Sequence, residues 1–162
     1  MDTGIRARLS AMMFLQYFVW GAWFVPFATY LTHHGLSDSV GTIYSAQGWA
    51  AIAAPLFVGA IADRYFSAEK VMGILHLFAG ALLFLFAGFL LFVLTTIGAD
   101  AGVMFLATLG ALLAYMPTIA LSNSVALNAL TSTEKQFPAI RVFGTIGWIV
   151  AGLIVGIALP RG

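Results

Sequence analysis

Five long apolar stretches fill almost the whole of this chain, separated only by short polar breaks. No water-soluble core can absorb so much apolar sequence. Of the 162 residues, 62% are hydrophobic and 8% are charged, against about 25% charged in an ordinary soluble domain. Lipid must therefore be the solvent for much of the surface. The formal net charge of +1 gives no reason to expect a nucleic-acid partner. With no cysteine in the chain, disulfides, thiol catalysis and thiolate metal sites are excluded.

A membrane helix needs roughly 20 apolar residues. The pattern predicts spans near residues 9–31, 40–62, 71–96, 102–127 and 137–159, giving an all-α membrane protein of five transmembrane helices. The run after Arg6 and Arg8 continues to about Leu31 without a small-residue cleavage site, so it reads as a first span and not as a cleaved signal. Basic residues stay on the cytoplasmic side of a membrane. Arg6, Arg8, Arg64, Lys70 and Lys135 all fall on one side if the N-terminus is inside, and the other side offers only Arg161. The expected location is the inner membrane, multi-pass, with a cytoplasmic N-terminus.

The six carboxylates all lie at termini or in breaks. No metal-binding, nucleophile or phosphate-loop motif is present, so the chain does not read as an enzyme and implies no cofactor. Small residues recur in the spans, among them Gly144, Gly147, Gly152 and Gly156, and the last pair forms a GxxxG of the kind that lets helix backbones approach. Pro26, Pro55 and Pro117 each remove a backbone donor inside a span. Gln16 and Trp20 lie four apart on one face of the first span. His76 and Asn123 are polar groups within spans, each readable as a helix–helix hydrogen bond or as a contact to protons or solute.

Arg141 stands apart. Its guanidinium cannot shed its charge at physiological pH, and a charge at bilayer depth costs at least a few kcal/mol without a partner, a wet cavity or a ligand. Snorkelling to the interface is one solution. Thr145 and Trp148 follow at four and seven residues, on the same helical face. An arginine, a hydroxyl and an indole in one stripe could hold a flat, polar solute.

The segment Gly59-Ala60-Ile61-Ala62-Asp63-Arg64-Tyr65-Phe66-Ser67-Ala68-Glu69-Lys70 resembles the signature between the second and third helices of the major facilitator superfamily. Phe14-Leu15-Gln16-Tyr17-Phe18-Val19-Trp20-Gly21-Ala22-Trp23, Ala114-Tyr115-Met116-Pro117-Thr118 and Phe137-Pro138-Ala139-Ile140-Arg141-Val142-Phe143-Gly144-Thr145-Ile146-Gly147-Trp148 resemble the first, fourth and fifth helices of its nucleoside:proton symporters. The resemblance implies nucleoside transport by proton symport, with Arg141, Thr145 and Trp148 contacting the nucleoside. It gives Asp63 and Arg64 the part of a conformational latch. The family more often carries phenylalanine where Trp148 stands.

The superfamily fold has twelve helices in two halves that hold substrate between them. Residues 1–162 therefore look like an incomplete N-terminal transmembrane domain, and the missing C-terminal half would be its partner. Such a chain is not expected to perform alternating access alone. A sugar or drug carrier of the same superfamily, or a small membrane interaction subunit, are the alternatives. Reporter fusions at Phe66 and Ala99 should report opposite sides of the membrane; the same side for both would refute the span assignment.

Overall fold

A computed structural model describes residues 3–65, 67, 69–77, 81 and 100–158, with the side chains of 54–65 outside it. Among these residues every element is helical. Helix α1 runs over Thr3–His33 and continues through Pro26. A 3-10 turn at Ser37–Ser39 leads into α2, Val40–Tyr65. Residues 69–77 are helical and are called α3; the rest of the expected third span lies outside the described residues, residue 81 excepted. Helix α4 covers Ala101–Asn128 and α5 covers Thr133–Ala158.

Local chemistry sets the helix ends. At the end of α1, Gly35 takes φ 76°, a left-handed conformation that glycine adopts without penalty. The Leu36 N–H then donates to the Leu31 carbonyl at 3.0 Å and the Gly35 N–H to the Thr32 carbonyl at 3.1 Å. This is a Schellman closure, with Leu31 and Leu36 both buried beside it. Asp100 begins α4 by accepting the Val103 N–H on Oδ1 at 2.8 Å, an N-cap that satisfies one orphan donor. At the start of α5 the Gln136 side chain turns back to accept the Ser132 N–H at 3.4 Å.

Helices α1, α4 and α5 are each long and apolar enough to cross a membrane. Half of the apolar stretch of α4 is buried, but only 22% of those of α1 and α5. Leu15, Val19 and Val25 on α1, and Ile149, Leu153 and Ile157 on α5, are exposed. Faces this apolar belong in lipid, so this is a membrane protein.

The chain forms two packing units, Met1–Tyr30 with Ser122–Gly162 and Leu31–Leu121. In the second, Val71 and Leu121 are buried together with Met72 and Leu75 against them. In the first, α5 buries Ile140, Gly144, Gly147 and Ala151, a seam spaced four, three and four residues. This seam meets α1 backbone to backbone. A Cβ on Gly147 would fall on the Phe14 carbonyl oxygen, and one on Gly21 would lie 3.1 Å from the Trp148 carbonyl oxygen. The GxxxG pair behaves differently, because Cβ atoms added at Gly152 and Gly156 would meet open space. Gly147→Ala should therefore force the helices apart and cost about 1–3 kcal/mol, lowering the thermal unfolding midpoint of the purified protein. Gly152→Ala should leave that midpoint unchanged or raise it; the reverse ranking would move the close contact to the GxxxG pair.

Candidate functional site

The side chains flanking the α5 seam carry the chemistry. Arg141, Thr145 and Trp148 each follow a seam residue by one position, so they form a row along one flank. Their lengths then decide where they end. Arg141 and Trp148 are long enough to reach back over α1 and are half-buried, whereas the short Thr145 is exposed.

Arg141 finds its partner on α1. Its Nη2 donates to the Tyr17 hydroxyl at 2.6 Å, and its Cζ lies 4.2 Å from the Tyr17 ring centroid. A cation over an aromatic face is worth about 0.5–2 kcal/mol, more where water is excluded. Among the described residues no carboxylate pairs with Arg141, and the phenol is the partner that solvates its charge. The approach depends on Gly144, where a Cβ would stand 2.7 Å from Tyr17 Cδ2 and 2.8 Å from Arg141 Nη1.

Two turns further along α5, Trp148 meets an aromatic row on α1. Its ring lies 4.9 Å from Trp20, nearly perpendicular at 88°, and 5.9 Å from Phe24. Tyr17 and Trp20 are themselves 6.0 Å apart, so the row runs without a break from the Arg141 partner to the Trp148 box. Edge-to-face pairs of this kind add about 0.5–1.5 kcal/mol each beyond area burial. Beside them, Gln16 is buried on α1. The indole nitrogens of Trp20 and Trp23 and the amide oxygen of Asn123 are buried with no hydrogen-bond partner among the described residues. An unmade buried hydrogen bond costs about 1–3 kcal/mol.

The other candidates belong to the second packing unit. His76 Nδ1 is 2.9 Å from the Met72 carbonyl, which can only accept, so Nδ1 carries the proton. The ring makes an edge contact with Tyr115 at 6.1 Å. Asp63 and Arg64 lie in the last turn of α2, and their side chains lie outside the described residues. No group of three metal-ligating side chains gathers among the described residues.

Sequence reasoning missed Tyr17. The available signal was a phenol near the middle of a lipid-facing helix, because a tyrosine hydroxyl buried there needs a hydrogen-bond partner. Taken together, the donors of Arg141 and the indole walls can grip a flat, uncharged solute bearing oxygen acceptors.

A family description, nucleoside H+ symporter, matches residues 3–159. The chain belongs to that family. It is 48% identical over 156 residues to "Putative nucleoside transporter YegT" of Escherichia coli (strain K12), covering 96% of this chain and 34% of that protein. It is 42% identical to the xanthosine permease of the same organism, over 91% of this chain and 34% of the relative. A crystal structure of a mutant of the nucleoside transporter NupG superposes with a TM-score of 0.83 at 32% identity, over 95% of this chain and 38% of that one. The fold is thus the major facilitator arrangement of helices seen in that transporter, and the chain spans about a third of the length of the relatives it matches.

Proposed function

We propose that this chain forms the N-terminal helical segment of a proton-coupled nucleoside permease of the inner membrane, with a cytoplasmic N-terminus. The flank of α5 facing α1 supplies one wall of the nucleoside site. The observation that carries this reading is the guanidinium of Arg141, without a carboxylate partner among the described residues and held on Tyr17 along the row from the Trp148–Trp20 pair, in a helix long enough to cross the membrane. The relatives are named for nucleoside and xanthosine transport, and nucleosides suit the wall.

The roles follow from chemistry. A nucleoside has hydroxyls and base carbonyls but no charge, so Arg141 serves as a fork of donors and not as a counter-ion. Thr145, exposed on the same flank, offers a hydroxyl. Trp148 offers a ring face or edge to the base, and Trp20 an indole N–H beside it. Asp63 and Arg64, at the end of α2, would act on the conformational change and not on substrate. The remainder of a full-length carrier would close the site and contribute the proton-coupling groups.

Binding to the purified full-length protein tests this reading. Arg141→Lys keeps the charge and loses the fork, so uridine affinity should fall about ten- to a hundred-fold, nearly as far as in Arg141→Ala. Indifference of the unaltered protein to uridine, adenosine and xanthosine would overturn the assignment and favour a sugar or drug carrier. Normal binding by Arg141→Lys would leave the arginine as an interfacial anchor.

His76 gives a separate check on proton coupling. Asparagine can reproduce its hydrogen bond to the Met72 carbonyl but cannot titrate. His76→Asn should keep the pH profile of uridine uptake; a flattened profile would make His76 part of the proton path.

A further inference from the structure

We propose that Tyr17 is a positioning residue that sets the orientation of the Arg141 guanidinium toward its ligand. The inference rests on the nucleoside reading above and adds a residue that reading does not use.

The long stem of Arg141 leaves its head a choice. It lies in the third turn of α5, within reach of the polar start of that helix, where snorkelling would take the charge to water. The head instead lies on α1. The hydroxyl of Tyr17 accepts from Nη2 at 2.6 Å while the Tyr17 ring lies under Cζ at 4.2 Å. Two contacts of different direction, one to the hydroxyl and one to the ring, fix both the position and the tilt of a planar group. Tyr17 is itself fixed, being 8% exposed and wedged against Gly144. The three residues interlock: glycine makes the space, tyrosine fills it, and arginine is held by what fills it.

The chemistry of the partner matters. A carboxylate in place of the phenol would neutralise the guanidinium and take two parallel hydrogen bonds, leaving less for an uncharged ligand. A phenol takes one of five donors and no charge. It orients the fork without using it up. Most of the donors stay available for hydroxyl or carbonyl oxygens, which is the need of a site for a neutral nucleoside. Holding the head in advance also lowers the entropy lost when ligand binds.

Two measurements on the full-length protein test this. The first needs no ligand. Phenylglyoxal modifies accessible arginine, and peptide mapping reports the rate at Arg141. Tyr17→Phe keeps the ring and removes the hydroxyl, so Arg141 should be modified several-fold faster than in the unaltered protein; an equal rate would overturn the proposal. The second is uridine binding to Tyr17→Phe, Arg141→Lys and the double variant. Tyr17→Phe should weaken binding about ten-fold while the helical content seen by circular dichroism is unchanged. The double variant should bind within about two-fold of Arg141→Lys alone, because a residue that acts through Arg141 has nothing left to orient. Full affinity in Tyr17→Phe would overturn the proposal, as would losses that multiply in the double variant. If the unaltered protein binds no nucleoside, the nucleoside reading fails, and the labelling rate still decides whether Tyr17 holds Arg141.

Discussion

Everything described at the candidate site depends on how closely α5 can approach α1. Between membrane helices there is no hydrophobic drive, since lipid is as apolar as leucine, and association rests on packing and polar contacts. Gly147 against the Phe14 carbonyl and Gly21 against the Trp148 carbonyl bring the two backbones together. Only at this separation can a side chain on one helix lie across the other. Gly144 then leaves room for a whole tyrosine ring beside the arginine. The glycines make no polar contact through side chains, yet they decide which polar contacts exist.

A second principle is the division of the aromatic residues by height along the pair. Nearest the start of α5, aromatic Tyr17 is used as a support for charge, face under guanidinium and hydroxyl toward its nitrogen. Higher up, Trp20 meets both Phe24 and Trp148 edge to face, and Phe24 and Trp148 lie tilted against each other. One wall thus changes from hydrogen-bonding to apolar over a few turns.

The helical class was legible because apolar length is a strong signal, and most helix ends were legible as polar punctuation. Gly35, Asp100 and the Thr131–Gln136 stretch all lie in breaks that the sequence displays, and each performs a capping task there. Arg141 stood out because charge at depth is rare. Its partner did not, since Tyr17 lies 124 residues away and one tyrosine in an aromatic run looks like any other. The glycines gave a partly misleading signal. GxxxG at Gly152 and Gly156 fits the familiar spacing, but the close contact runs through Gly144 and Gly147, three apart, together with Gly21 from the other helix. Sequence spacing identifies residues able to permit contact; the seam that is used depends on which helix arrives. Thr145 shows the same limit, because its place in the row was legible but its failure to reach α1 follows from side-chain length.

The perpendicular indoles of Trp20 and Trp148, 4.9 Å apart, belong to different helices. Electronic coupling and contact quenching between such rings change steeply over an ångström. The pair is therefore an intrinsic optical gauge of the α1–α5 gap, read in near-ultraviolet circular dichroism and emission without an attached dye. A rocking motion that carried both helices as one body would leave its signal still, whereas any slip of α5 along α1 would alter it. The chain thus carries its own means of telling rigid-body movement from internal sliding.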